Sequence, residues 1–275
     1  MERLQTALDK ARKKRAGEIT EDPQVLRETS APSLPVGVSE AWSNLAEIRL
    51  DRSLLQHNRL VAMDSSGESS AYDLLRTKLL RLSRQHGWKR IAIVSSAMSA
   101  GKSTTITNLA FSFARQTDVR AMAFDFDLRR PSMARLLGQR LSSNMGQVIR
   151  GEVPFEHHVM RHGMNMAFAL NDTASRHSSE LLQNHETADL LTAVEETYAT
   201  DLILFDMPPL MAADDAHGFL RSVDAALIVM EAEKTPISQL DVIERQVAEL
   251  TNVAGVVLNK CNYTDELYGT SYGYY

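Results

Sequence analysis

The sequence holds a single cysteine, Cys261, so no intramolecular disulfide framework can form, and a reducing compartment suits the chain. No apolar run approaches the roughly 18–20 residues that a membrane helix requires. The opening stretch MERLQTALDKARKKR lacks the apolar segment of a secretory leader. Positive charge is not in excess either: the formal net charge is −5 and the pI about 5.9. This argues against a protein held to nucleic acid mainly through phosphate contacts. Together these absences predict a soluble, intracellular protein with no nucleic-acid partner. What is present is ordinary globular composition, 44% hydrophobic and 24% charged over 275 residues, enough to bury a core in one large domain with or without an appendage.

The first 40 residues contain no aromatic side chain, and residues 1–16 carry six basic and two acidic groups. Leu4, Leu8 and Ala11 recur at helical spacing, which leaves two readings open: a solvated arm, or a short amphipathic helix that docks on a partner or an anionic membrane face. Pro23, Pro32 and Pro35 mark residues 21–40 as a linker. The expected organisation is therefore an arm and linker over 1–40, a folded domain over 41–260 and a tail over 261–275. Within the domain, apolar runs at 90–95, 119–125, 165–170, 202–206, 225–230 and 253–259 read as strands covered on both faces. A helical stripe of Ile106, Leu109, Ala110 and Phe113 lies between the first two. Strands alternating with helices predict an α/β fold with a mainly parallel sheet and ligands bound beyond the carboxyl ends of its strands.

The first strand runs into Ser95-Ser96-Ala97-Met98-Ser99-Ala100-Gly101-Lys102-Ser103-Thr104. A Gly-Lys-Ser at a strand-to-helix junction is the end of a phosphate-binding loop, whose backbone amides converge on phosphate oxygens. Lys102 would reach the β- and γ-phosphates and the Ser103 hydroxyl would ligate Mg²⁺. Ser96 stands where the loop's first glycine is usual, so the backbone has less freedom. A chance triplet is the alternative reading.

Two further strands end in acid. One closes Asp125-Phe126-Asp127-Leu128-Arg129-Arg130-Pro131, the other Asp206-Met207-Pro208-Pro209. An apolar strand running into a buried, unpaired carboxylate is costly, and a divalent cation next to a phosphate loop supplies a reason for it. Asp206 fits the metal-holding acid of such sites. Asp125 and Asp127, two apart, can divide metal binding from proton transfer. Arg129 or Arg130 can neutralise phosphate charge. The plain alternative is helix capping by Asp127 and surface ion pairs for the arginines. His157, His158 and His162 show no metal-ligand pattern and read as surface residues.

GKSTTITNLA (101–110), AFDFDLRRPSM (123–133), SSELL (178–182), DLILFDMPPLMAADDA (201–216) and VAGVVLNK (253–260) together resemble the stand-alone bacterial tyrosine kinases of capsule and exopolysaccharide systems, relatives of the MinD/ParA-type ATPases. The resemblance runs from about residue 68 to the end. It implies a P-loop NTPase-type α/β fold, with a mainly parallel sheet and helices on both faces. ATP is expected on Ser96 through Thr104, with Arg129 and Asn259 as further nucleotide contacts. Mg²⁺ is expected on Ser103, Asp125, Asp127 and Asp206. Lys102, Asp125 and Asp127 are the implied catalytic groups, with Asp125 as proton acceptor. Five of the chain's seven tyrosines, Tyr263, Tyr268, Tyr272, Tyr274 and Tyr275, fall in the last 13 residues, and the resemblance makes them substrates of autophosphorylation. It also implies a separate membrane-embedded polysaccharide co-polymerase as activator, a cognate tyrosine phosphatase, a homo-oligomeric ring, and a cytoplasmic location peripheral to the inner face of the membrane. Where many members have Glu-x-x-Arg-x-x-Arg, this chain has Ser70, Asp73 and Arg76, which puts the ring in question. Two rivals are a MinD/ParA-like switch ATPase and a non-catalytic partner of an export complex.

Overall fold

The computed structural model describes residues 36–212 and 214–261. The expected arm, most of the linker and all five tail tyrosines lie outside the described residues. Eight strands form one sheet: β1 (Ala46–Glu47), β2 (Arg90–Val94), β3 (Ala121–Asp125), β4 (Met160–His162), β5 (Met166–Ala169), β6 (Leu202–Asp206), β7 (Ala225–Glu231) and β8 (Asn252–Asn259). Their order across the sheet is β1-β4-β5-β3-β6-β2-β7-β8. The six strands from β5 to β8 in that order pair in parallel, as do β1 and β4, and the only antiparallel pairing among the described residues is β4 with β5. The α/β reading and the mainly parallel sheet therefore hold.

All six expected strands are present, with shifted ends. Val119 and Arg120 precede β3, Asn165 and Leu170 flank β5, and β8 begins at Asn252. The two unforeseen strands, β1 and β4, are two and three residues long and carry no apolar run that a pattern search could find. Alternate residues of the central strands face opposite ways, and the core divides accordingly. Ala92, Val94, Met122, Phe124, Ile203, Phe205 and Ile228 belong to one buried cluster, which packs on the helix His185–Tyr198 through Leu191 and Val194. Ile91, Ile93, Ala121, Ala123, Leu202, Leu204 and Val229 belong to the other, packed on the helices Ser70–His86 and Lys102–Ala114. Helices thus cover both faces.

The segment ahead of β2 is integral to this domain. Trp42, on the helix Val36–Asn44, is fully buried. Its indole N–H donates to the Tyr198 carbonyl at 2.9 Å, and the two rings meet edge to face. Asn108, buried on Lys102–Ala114, accepts the amides of Val61 and Ala62 at 2.8 and 3.0 Å and donates to the carbonyls of Arg59 and Thr104. One side chain thus fastens residues 59–62 to the helix that begins at the phosphate loop. Replacing Asn108 by Ala strands two amides in a buried setting, so Asn108→Ala should cost about 2–4 kcal/mol of unfolding free energy in a urea titration; a loss under 0.5 kcal/mol would show that this pin is dispensable.

Candidate functional site

The strand order places the chemistry. β6 lies between β3 and β2, with Ile93 opposite Asp206 and Asp125 opposite Asp206 in register. The carboxyl ends of three consecutive parallel strands thus deliver Asp125, Asp206 and the phosphate loop to one place. Two other concavities, of about 420 and 400 Å³, lie elsewhere; Lys89, Arg90 and Asp224 line the first, at the amino ends of β2 and β7.

Lys102 opens the helix Lys102–Ala114 and is 6% exposed. Its ammonium donates to Ser95 Oγ at 2.9 Å, and Ser95 Oγ donates in turn to the Ala97 carbonyl at 2.7 Å. Burial lowers the Lys102 pKa, and the charges of Asp206 and Asp127 work against that fall. Gly101 caps the helix at φ 93°, and a side chain there would collide with the Asn259 amide. Ser99 also adopts a left-handed conformation, at φ 65°, where a β-carbon costs about 1–2 kcal/mol. The loop is fastened from β8: Asn259 Nδ2 donates to the Ala100 carbonyl at 2.9 Å and Lys260 Nζ to the Ser99 carbonyl at 2.6 Å. Asn259, expected as a nucleotide contact, touches the loop itself. Ser96 and Ala100 are buried, Ala97, Met98 and Ser99 are exposed, and Gly101, Ser103 and Thr104 are partly buried.

Both carboxylates at the strand ends are fully buried. Asp125 Oδ2 accepts the amides of Ser132 and Met133, each at 3.0 Å, while its Oδ1 has no hydrogen-bond partner. Burial first, and the charge of Asp206 next, push its pKa well above the carboxylate range, against those two donors. Neither oxygen of Asp206 accepts a well-formed hydrogen bond. Burial raises that carboxyl to about 6, with Lys102 and the Ser103 hydroxyl pulling the other way. Asp127 is half-buried, with Oδ1 accepting the Arg130 amide at 3.0 Å. Its pKa is raised by burial, and that amide and Lys102 oppose the rise.

Three buried carboxylate oxygens without partners, beside a lysine and a serine hydroxyl, are the donor set that a hard divalent cation takes. Mg²⁺ fits these residues on that ground. No group of three or more His, Cys, Asp or Glu side chains among the described residues could hold a metal alone.

The acid-rich segment is clamped in several places that its sequence did not disclose. Arg129, expected on phosphate, forks onto the fully buried Asp215 at 2.8 and 2.7 Å and reaches Asp214 at 3.3 Å. Ser178 Oγ donates to Asp215 Oδ2 at 2.7 Å. Burial raises Asp215, but Arg129 and Ser178 outweigh it and hold the carboxyl below its ordinary range. Asn171 Nδ2 donates to the Asp125 carbonyl at 2.6 Å, and the Ser175 amide to the Leu128 carbonyl at 2.8 Å. Arg130 instead lies at the loop, 2.8 Å from Met98 Sδ. The stretches SSELL and MAADDA, which contain Ser178 and Asp215, were the available signal, though nothing in them foretold a pairing with Arg129.

The histidines need one correction. His158 is not on the surface: it is 4% exposed, its Nδ1 lies 2.8 Å from Ser143 Oγ and its Nε2 2.8 Å from the Leu170 carbonyl. Burial lowers its pKa. His162 is half-buried with its ring edge on Phe111, and His157 is exposed.

Sheet order, loop and acidic strand ends define a P-loop NTPase-type α/β protein. The chain belongs to the ParA family: a family model of that name, described as NUBPL iron-transfer P-loop NTPase, matches residues 88–273, more than half of the chain. Among curated proteins, AmsA of Erwinia amylovora is 26% identical over 219 residues, 78% of this chain but only 30% of AmsA. The chain thus spans under a third of that relative. The tyrosine-protein kinase YwqD of Bacillus subtilis is 25% identical over 83% of this chain and 95% of its own length. The tyrosine-protein kinase CpsD of Streptococcus pneumoniae is 28% identical over 66% and 80%. Among solved structures, the kinase domain of the Escherichia coli tyrosine kinase ETK superposes with TM-score 0.68 at 23% identity, over 78% of this chain and 85% of that one. The chimerical protein CapA2B2 does so with TM-score 0.67 at 20% identity, over 80% and 94%. The shared fold is what these two superpositions show.

The strain in the Asp206 carboxylate has a measurable sign. Its folded pKa lies above the ordinary 3.8, so ionisation opposes folding increasingly as pH rises from about 4 to 6, and not below about pH 3, where the group is protonated in both states. Asp206→Asn should therefore stabilise the nucleotide-free protein by roughly 2–3 kcal/mol at pH 7 and leave it unchanged near pH 3, read from denaturant midpoints at both pH values.

Proposed function

We propose that the protein is an ATP-dependent protein-tyrosine autokinase that regulates capsule or exopolysaccharide polymerisation and export. The observation that carries this reading is the meeting of Asp125, Asp206, Lys102 and Ser103 at three adjoining strand ends, with three buried carboxylate oxygens left unpartnered. The tyrosine-rich stretch after Cys261 and the tyrosine kinases among the relatives support phosphotransfer to protein.

In this reading, loop residues 96–104 embrace the triphosphate and Lys102 neutralises charge on its outer phosphates. Ser103, Asp206 and Asp125 would hold Mg²⁺. Mg²⁺, when bound, supplies charge neutralisation across the transferred phosphoryl group. The proton-accepting role fits Asp127 better than Asp125, to which the resemblance assigned it. Asp125 is fully buried with one oxygen held by two amides, whereas Asp127 is half-exposed with a free Oδ2. Tyrosine has a pKa of about 10 and needs such a base at neutral pH. Arg129 acts here by fixing the Asp127 segment on Asp215.

The partners that fit are a separate membrane co-polymerase as activator, a tyrosine phosphatase and further copies of this chain, at a cytoplasmic site peripheral to the membrane. Among the described residues no helix is long and apolar enough to cross a membrane. Asp73 accepts from Ser112 Oγ at 2.5 Å and pairs with Arg115 and Arg76, while Arg76 also donates to the Ser112 carbonyl. Asp73 and Nη1 of Arg76 are thus engaged within the chain, while Arg76 Nε has no partner.

The family match favours a second reading, a ParA-like switch ATPase that hydrolyses ATP without marking protein. Mass spectrometry of the full chain after incubation with MgATP decides. Autophosphorylation should appear on tyrosines within 263–275, vanish in Lys102→Met, and fall at least about 100-fold in Asp127→Asn with nucleotide affinity retained. Phosphate release with an unmodified chain would establish the switch instead.

A further inference from the structure

Ser132 occupies the N-cap position of the short helix Met133–Leu136, yet its side chain makes no capping bond. Serine at that position ordinarily turns its oxygen onto the helix amides. Here Asp125 Oδ2, from the end of β3, takes the amides of Ser132 and Met133. The serine hydroxyl does not cap the helix and instead lies 2.7 Å from Ser103 Oγ, with Ser132 as donor. The two serines lie on separate segments, 29 residues apart.

A hydroxyl has one proton and two acceptor lone pairs. With Ser132 donating into one lone pair, Ser103 retains its own proton for the Asp206 side, where its hydroxyl lowers the carboxyl pKa, and one lone pair for a cation. Without Ser132 the Ser103 hydroxyl can rotate, and its lone pair is no longer aimed. Asp125 therefore reaches the metal position through a second route: it sets the backbone of Ser132, which sets Ser103.

We propose that Ser132 is a positioning residue for the metal-binding hydroxyl, orienting Ser103 so that Mg²⁺ binds in the presence of nucleotide. The inference rests on the nucleotide-and-Mg²⁺ reading above. It assigns Ser132 to metal affinity and not to phosphate binding, because its hydroxyl bonds to no group of the loop other than Ser103.

The test is Mg²⁺ titration of fluorescent ADP binding to the full chain, with a metal-free titration in EDTA alongside. Ser132→Val and Ser132→Thr have the same shape and differ in the hydroxyl. Ser132→Val should raise the Mg²⁺ concentration for half-maximal binding about 10-fold, with metal-free ADP affinity within 2-fold of the unchanged protein, and Ser132→Thr should restore the midpoint. A packing defect would move both variants alike and overturn the assignment. So would a Val variant with the unchanged midpoint, which would leave the nucleotide reading standing. Absence of Mg²⁺-dependent ADP binding by the unchanged protein would overturn that reading and this inference with it.

Discussion

Two carboxylates side by side in a water-free place, Asp125 and Asp206, are the constraint around which the rest is arranged. Each sits at the end of a strand whose other residues are fully buried, and neither has a full set of partners. Such a pair is unfavourable by itself, through lost hydration and mutual repulsion. Its charge is offset by Lys102, which is buried with it. Folding energy from two apolar layers keeps these groups in place. The site is a region of stored electrostatic cost, as ligand-binding sites commonly are.

Around that pair, the acid-bearing segment is held by bonds from outside itself. Asn171 and Ser175 hold its backbone, Asp215 holds Arg129, and the Phe126 amide donates to the Asp206 carbonyl at 2.9 Å. Asp215 lies just beyond the β6 end that supplies Asp206, so a displacement of either segment is felt by the other. The Arg129 fork is a direct side-chain link between the two segments. The segments that a phosphate group would touch are thereby tied to the helix Ser178–Gln183.

The sheet was largely legible in the sequence, because all-apolar runs alternating with helical patterns have few other uses, and the acids and the Gly-Lys-Ser that end three of those runs are brought to adjoining strand ends. Strands such as β6, all apolar, announce themselves; β1 and β4, at two and three residues, carry too little pattern. What the residues do to one another was less legible. Arg129 looked like a phosphate ligand, since an arginine beside acids and a phosphate loop has that chemistry available, and only the fold brings Asp215 within reach. Asn259, expected as a nucleotide contact, bonds instead to the Ala100 carbonyl of the loop. Ser132 and His158 were invisible for a related reason: a serine or histidine draws meaning from its neighbours, and those come from 29 and 12–15 residues away.

The bonds from Asn259 and Lys260 to the loop carbonyls bear on thermodynamics as well as shape. A phosphate loop rich in glycine is supple until its ligand arrives, and association must then freeze it. Here one glycine remains, Ser99 is held in a left-handed turn, and two side chains from the far edge strand grip the backbone. The ordering is completed when the polypeptide folds, so a ligand seated on this loop would meet a smaller entropic penalty. The same rigidity links pre-organisation of the loop to the integrity of β8, whose last residues lead directly into the tyrosine-rich terminus.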